Sequence, residues 1–130
     1  HGGGRAFFAP QQDIIQLPSK ESFKDAAAYH ATSLHELIHW SGHTSRLDRL
    51  KKTPFGSPDY AREELVAEMG AAFLTATLGI QGNLQHPEYI DSWLKVLKKD
   101  NRAIFKAASS GQAAVDYLES QFCILPEATA

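Results

Sequence analysis

The sequence predicts an α+β fold that is mainly helical and includes one small antiparallel β-hairpin. Two short runs of β-forming residues lie near the start, and most of the chain after residue 22 has helical periodicity with recognisable caps. The chain has 130 residues, 43% of them hydrophobic, which suits one globular domain with a single core. We therefore expect residues 1–130 to form a single domain.

The hairpin is predicted within residues 5–17. The β-type runs at residues 5–9 and 14–17 flank a polar connection at residues 10–13, as in two strands joined by a short loop. A lone hairpin is only marginally stable in water. We therefore expect this hairpin to pack against the helices or to pair with strands outside this chain.

The first helix is predicted to begin with Ser22 as its N-cap and to end at Gly42. Its helix-forming and apolar positions are Ala26, Ala27, Ala28, Ala31, Leu34, Leu37 and Ile38. Residues 44–56 are too polar and too interrupted for a core element. We expect them to form a surface loop that is long enough to contribute to the rim of a site.

Three further helical segments are predicted. The second helix begins at Ser57, which proline follows at the first helical position, and ends at Gly79. The third is expected to open at residues 86–87. Its apolar stripe is Tyr89, Ile90, Trp93, Leu94 and Leu97, a spacing typical of a core and not of a ligand site. The last helical region, residues 102–121, is expected to break near residues 109–111, which read Ser-Ser-Gly.

The charge balance argues against a chain-wide surface for nucleic acid or anionic membrane. Thirteen basic and fifteen acidic residues give a formal net charge of −2, so there is no global positive field. No apolar stretch approaches the roughly 18 residues of a membrane span, and no signal-peptide pattern opens the chain. The late cations are best interpreted as a solvated helix face: Lys95, Lys98, Lys99, Arg102 and Lys106.

The single cysteine, Cys123, lies in an apolar run and cannot form an internal disulfide. We expect it to be a small core residue in a reducing, cytoplasmic compartment. The sequence opens on His1 and not on methionine, which favours a domain from a longer protein.

The residues most informative about function are His35, Glu36 and His39, which form an H-E-x-x-H pattern in the predicted first helix. Residues four apart in a helix lie on one face, so both imidazoles can reach one metal ion with Glu36 beside it. Catalytic zinc usually takes three protein ligands and leaves a fourth position for water. A third ligand is therefore expected from another element.

The second helix offers three glutamates for that role. Glu64 and Glu68 share one helix face. Glu63 points about 100° away from them, on the face that also holds Ala67. We predict that Glu64 is the third metal ligand and that Glu68 accepts the outer N–H of a ligand histidine. The reverse assignment of Glu64 and Glu68 stays open, as does an exposed acidic helix face with no role in metal binding.

A bound metal would lower the pKa of water from about 15.7 towards 7, and Glu36 would act as general base during attack on a carbonyl. The donor for the developing oxyanion stays open among His43, Tyr60 and Tyr29. His43 extends the series of histidines, but the longer motif H-E-x-x-H-x-x-G-x-x-H would place its third histidine where Ser45 stands. We therefore interpret His43 as a rim residue.

Six segments carry a family resemblance: residues 3–8, 13–18, 23–25, 35–43, 46–47 and 60–68. Together they resemble the C-terminal zincin-like domain of ArdC-type antirestriction proteins and related plasmid primases, over most of the chain to about Leu118. The resemblance implies a gluzincin-like metallopeptidase fold. It also implies that His35, His39 and a glutamate of the second helix bind Zn²⁺ and that Glu36 is the catalytic base.

The resemblance further implies a parent protein that is encoded on mobile elements and linked to protecting incoming DNA from restriction. Its N-terminal domain would bind single-stranded DNA and lies outside this chain, so DNA binding is not assigned here. The protein or peptide substrate is left open. The alternative is a non-catalytic, metal-stabilised interaction module, against which Glu36 argues mildly because a structural site needs no base.

Overall fold

The computed structural model describes residues 1–81 and 90–122, and there it contains one β-hairpin and four α-helices. The elements are β1 (Phe7–Ala9), β2 (Ile14–Gln16), α1 (Ala26–Ser41), α2 (Pro58–Thr77), α3 (Ile90–Lys99) and α4 (Ala103–Phe122). The predicted α+β architecture, mainly helical with a small antiparallel sheet, is confirmed.

The hairpin is shorter than predicted but has the predicted topology. Phe8 pairs with Ile15, and the two strands run antiparallel. Asp13 ends the connection at φ 52°, a left-handed conformation that aspartate tolerates better than most residues. Both strands contact α1. An ion pair between Asp13 and Arg46 fastens the connection to the loop after α1, where the Arg46 guanidinium lies 3.9 Å from the centre of the Trp40 ring.

The predicted start of the first helix was wrong, whereas its predicted end was right. The Asp25 side chain caps α1 by accepting from the Ala28 N–H at 2.7 Å. Ser22 instead lies in a short 3₁₀ turn and donates its hydroxyl to the Ser19 carbonyl at 2.6 Å. Gly42 is the C-cap with φ −82°, so it does not need glycine's freedom at positive φ.

The predicted boundaries of the second helix are confirmed, but the predicted break in the last one is wrong. Ser57 caps α2 through the Tyr60 N–H at 3.2 Å, and Gly79 follows α2 at φ 67°. Helix α4 is continuous through residues 109–111. A Cβ on Gly111 would lie 3.0 Å from the backbone nitrogen of Gly70, so this glycine allows close approach of α4 to α2 and does not interrupt α4.

The core lies between α1, α2 and α4, and α3 contributes less to it than predicted. Trp93 and Val96 are buried, but Ile90 and Leu94 are 40% and 48% exposed. The buried face of α3 therefore contains Val96 and not Leu94, which the predicted stripe had placed in the core. Leu97 is only partly buried. The predicted start of the third helix at residues 86–87, the stripe residue Tyr89 and the core assignment of Cys123 all lie outside the described residues.

The five late cations are exposed, as expected of a solvated helix face, and Lys106 pairs with Asp100 at 3.1 Å. Among the residues that the structure describes, no helix is both long and apolar enough to cross a membrane.

Candidate metal centre

Two histidines of α1 converge on one point, as their spacing predicts. His35 and His39 lie on the same helix face, and their Nε2 atoms are 3.1 Å apart. Their relative exposures are 2% and 9%, so water has little access to either ring. This burial needs a partner for each polar atom, since an unpaired buried polar group is costly.

Glu64 of α2 completes a three-residue cluster with them. One of its carboxylate oxygens lies 3.3 Å from His35 Nε2, and the other lies 3.3 Å from His39 Nε2. The cluster can offer one ligand atom from each residue with all three atoms within 4.8 Å of one another. The structure therefore brings together the three residues that were predicted as metal ligands.

Close packing of the two helices makes this convergence possible. A Cβ on Gly70 of α2 would lie 2.7 Å from Ile38 Cδ1, and Ile38 is fully buried on α1 between the two histidines in sequence. Because residue 70 has no side chain, the backbones approach closely enough for the Glu64 carboxylate to reach the imidazoles.

The cluster fits a small divalent cation. Tetrahedral zinc with bonds of about 2.0–2.1 Å separates neighbouring ligand atoms by about 3.3 Å. The two imidazole nitrogens are 3.1 Å apart, and each lies 3.3 Å from a different oxygen of the Glu64 carboxylate, so one ligand atom from each residue keeps all three within 4.8 Å. Two imidazole nitrogens and a carboxylate also form the donor set of the His₂Glu zinc enzymes. The geometry and the chemistry of the cluster thus agree.

The outer nitrogen of each histidine faces a second carboxylate. His35 Nδ1 lies 3.0 Å from Glu68 Oε1, as was expected for Glu68. His39 Nδ1 lies 3.0 Å from Glu63 Oε1. In the neutral form of each ring, these acceptors favour a proton on Nδ1, which leaves the Nε2 lone pair directed at the cluster centre. Three electron-rich groups that converge in this way require a cation or protons between them.

Glu63 has a role in the site that the sequence did not assign to it. Its direction does differ from that of Glu64, but that direction leads to the outer edge of His39 at the end of α1. The sequence contained a clue to this role. Each of the two ligand histidines needs an acceptor for its outer N–H, and Glu68 can serve only one of them.

Arg49 is a further residue of the site that the sequence did not indicate. Its Nε and Nη2 donate to the two carboxylate oxygens of Glu63 at 2.8 and 2.9 Å. Burial alone would raise the pKa of Glu63, but the hydrogen bonds from His39 and Arg49 hold that pKa below its usual value. No sequence spacing relates Arg49 to Glu63, because one lies in a loop and the other in a helix 14 residues later.

The acidic surroundings favour positive charge on the histidines. Burial would lower the pKa of His39, but hydrogen bonds to Glu63 and Glu64 outweigh it and raise the pKa to about 10. The pKa of His35 is also raised, because Glu64 and Glu68 outweigh its burial. Burial opposes ionisation of Glu64, yet the two imidazoles hold its pKa below the usual value. The same field that retains protons here would retain a metal ion.

Glu36 lines the same cavity as the three residues of this cluster. It is only 3% exposed, and it lines a cavity of about 880 Å³ together with His35, His39 and Glu64. The loop after α1 contributes to the cavity wall, as predicted for residues 44–56. Glu36 is thus placed where a base for water bound in the cavity would be needed.

The three candidates for the hydrogen-bond donor to the oxyanion lie in different surroundings. Tyr60 lines the cavity. His43 instead contacts Ser45 Oγ at 2.7 Å and the Pro10 carbonyl at 3.1 Å, so it joins the loop to the hairpin. It does not line the cavity itself, but Pro10 does, and the interpretation of His43 as a rim residue stays a prediction. Tyr29 contacts the His1 ring through its hydroxyl at 3.0 Å. Of these three candidates, Tyr60 is the one that lines the cavity.

Comparison with known proteins places this site in a family. The sequence model of the zincin-like metallopeptidase family matches residues 1–110. A DNA primase TraC of Escherichia coli is 48% identical over 115 residues, which are 88% of this chain and 11% of that protein. The matched part of the relative is therefore small.

Two crystal structures of the antirestriction protein ArdC from plasmid R388 are also similar. The Mn(II)-bound structure has a TM-score of 0.84 and 43% sequence identity, over 94% of this chain and 46% of ArdC. The metal-free structure has a TM-score of 0.80 and 44% identity, over 95% and 45% of the two chains. This chain spans less than half the length of these relatives. With a family match over most of its length and a His-His-Glu cluster in place, the chain belongs to the zincin-like metallopeptidases.

Proposed function

We propose that this chain is the zinc-dependent peptidase domain of an antirestriction protein carried by a mobile element. His35, His39 and Glu64 would hold the metal, Glu68 would orient His35, and Glu36 would act as general base. The observation that carries the proposal is the convergence of three ligand atoms beside a buried glutamate at one cavity. A structural metal site would need no such base.

Zinc is proposed from the chemistry of the donors. A His₂Glu set with three protein ligands is the arrangement of catalytic zinc, and imidazole suits several first-row metals. Manganese in the ArdC relative is consistent with a site that accepts more than one of them. Metal analysis of the protein purified from cells, without added metal, decides which ion is held.

The residues of the chain would divide the reaction as follows. A divalent metal at the cluster would supply Lewis acidity and lower the pKa of water in the cavity. The Glu36 carboxylate would remove a proton from the attacking water and pass it to the amine that leaves. Tyr60, which lines the cavity, would donate a hydrogen bond to the oxygen on which charge develops.

A polypeptide substrate suits the shape and lining of the cavity. It extends from the first strand, with Phe7 and Phe8, to the metal cluster and on to α4. Exposed aromatic side chains flank it, with Phe55 at 79% and Phe7 at 42% exposure. An extended peptide with an apolar side chain near the cleaved bond would cover these groups.

The biological setting is proposed from the relatives. One is named as an antirestriction protein of a plasmid and another as a DNA primase. We propose that single-stranded DNA binding belongs to a part of the parent protein outside this chain, and that the domain works in the cytoplasm of the host cell.

The test is a comparison of Glu36→Gln with Glu21→Gln, a change at an exposed glutamate outside the cavity lining. Both variants are expected to bind about one equivalent of zinc per chain. Only Glu36→Gln should abolish cleavage of an unfolded protein substrate, because glutamine cannot accept the proton. Retained cleavage would refute the role of Glu36. An intact antirestriction effect of the full-length parent protein carrying Glu36→Gln would instead favour the non-catalytic interaction module.

A further inference from the structure

We propose that Arg49 is a positioning residue that couples the order of the loop at residues 44–56 to metal binding at His39. The link between them is Glu63. The inference rests on the proposed metal site, but it concerns a loop and an arginine that take no part in binding the ion.

A continuous set of hydrogen bonds joins the loop to the ligand. Arg49 Nε donates to Glu63 Oε2 at 2.8 Å, and Nη2 donates to Glu63 Oε1 at 2.9 Å. The same Oε1 lies 3.0 Å from His39 Nδ1. Two parallel bonds between a guanidinium and a carboxylate fix the orientation of both groups. The plane of the Glu63 carboxylate, and with it the acceptor for His39, therefore depends on Arg49.

The guanidinium is held from the first helix as well. Arg49 Nη2 donates to the Ile38 carbonyl at 2.7 Å, near the C-terminal end of α1. A Cβ on Gly42 would lie 2.7 Å from this Nη2 and 2.9 Å from Cζ, so a side chain at position 42 would displace the guanidinium from its present place. The Arg49 side chain is only 15% exposed, so water competes weakly for these bonds.

The backbone around Arg49 joins the end of α1 to the part of the loop that lines the cavity. The amides of Arg49 and Leu50 both donate to the Gly42 carbonyl, at 2.9 and 2.8 Å. Beyond them, Leu50, Lys51, Thr53 and Phe55 line the cavity that contains the metal cluster. A metal that fixes the His39 ring would fix Glu63 and Arg49, and hence this wall. By reciprocity, an ordered loop would strengthen metal binding.

Arg46 provides a matched control. It lies in the same loop, and its guanidinium donates to the Trp40 carbonyl at 2.6 Å and pairs with Asp13. Arg46→Met thus removes a guanidinium from the loop at a point joined to the hairpin, whereas Arg49→Met removes the one joined to His39. Both variants lose one charge and similar hydrogen-bonding capacity.

The first readout is zinc affinity, measured on the 130-residue chain by competition with a chromophoric chelator. Arg49→Met and Glu63→Gln are expected to bind Zn²⁺ about 10–100-fold more weakly than the wild type, the usual cost of losing an outer partner of a ligand. Arg46→Met should stay within about threefold. Wild-type affinity in Arg49→Met would overturn the proposal.

The second readout is trypsin cleavage after Lys51 and Lys52, which are exposed in the loop, with the fragments identified by mass. Saturating Zn²⁺ should slow this cleavage about fivefold or more in the wild type and in Arg46→Met, because it closes local opening of the loop. It should not slow cleavage in zinc-saturated Arg49→Met. Equal protection in that variant would refute the coupling.

Arg49→Lys keeps the test decisive if Arg49→Met does not fold. Lysine retains the charge but cannot make the bidentate contact, so affinity and protection should both fall to intermediate values. Wild-type values in folded Arg49→Lys would contradict the proposal. Absence of peptidase activity in the wild type would leave these readouts intact, whereas absence of zinc binding would overturn the metal site and the coupling together.

Discussion

The contact between Gly70 and Ile38 gives a sharp test of how the two site helices are held together. An alanine at position 70 would place its Cβ 2.7 Å from Ile38 Cδ1, 2.9 Å from Cγ1 and 3.1 Å from Cγ2. Ile38 is fully buried, so it cannot relieve the contact by moving into solvent. Overpacking of this kind costs about 1–3 kcal/mol, against a gain of about 1 kcal/mol from alanine in a helix.

The expected net loss in the free energy of unfolding for Gly70→Ala is therefore about 0–2 kcal/mol. Ile38→Ala alone should cost about 2–5 kcal/mol. Ile38→Ala also removes all three carbons that crowd position 70. The double variant should therefore lose about 1–3 kcal/mol less than the sum of the two single losses. The helix-propensity contribution is checked by Ala72→Gly, an exposed position on the same helix that should lose about 1 kcal/mol.

Urea unfolding in the presence of a chelator measures these free energies without a contribution from bound metal. Gly70→Ala should also weaken zinc binding, because a wider gap between α1 and α2 moves Glu64 away from both histidines. Effects that add within about 0.5 kcal/mol, together with a Gly70→Ala variant more stable than the wild type, would refute the reasoning.

Three further outcomes are expected. Asp25→Ala should lower the free energy of unfolding by about 0.5–2 kcal/mol, as loss of an N-cap does, and Ser22→Ala by less; equal losses in urea melts would contradict the start of α1. Gly111→Ala should lower the melting temperature despite its better helix propensity, because its Cβ meets the backbone nitrogen of Gly70 at 3.0 Å; a higher melting temperature would contradict this packing. Metal binding at pH 7.5 should release protons, because the pKa of His39 is about 10 without metal, and the affinity for metal should therefore rise with pH. Calorimetry in two buffers of different ionisation enthalpy measures this proton release. Equal heats of binding in the two buffers would contradict it.

Much of the candidate site could be predicted because its parts are local or periodic. The spacing of His35 and His39 places both imidazoles on one face by helix geometry alone, and the spacing of Glu64 and Glu68 does the same for two carboxylates. The start of α2 followed from Ser57 and the proline after it. The start of α1 was predicted wrongly because serine and aspartate are both common N-caps, and only the structure shows that Asp25, three residues after Ser22, accepts from a helical N–H.

Errors arose where distant segments decide the outcome. Glycine 111 has the same local signature whether it ends a helix or admits a neighbouring backbone, and the proximity of Gly70 decides between the two. The stripe of α3 was misassigned because an isolated helix does not reveal which neighbour it will face. Glu63 and Arg49 were missed because their partners lie in other elements.

By itself, the sequence determined the class of fold, the helix that carries the H-E-x-x-H residues and the chemical types of the ligands, since these depend on local propensity and periodicity. The tertiary structure alone decided that Glu64 faces both histidines while Glu68 and Glu63 take their outer nitrogens. It also decided that a loop arginine holds one of those acceptors. The physical reason is that a metal cluster is set by distances of about 3 Å between elements, and such distances follow from packing, here through Gly70 and Gly42, which no local pattern encodes.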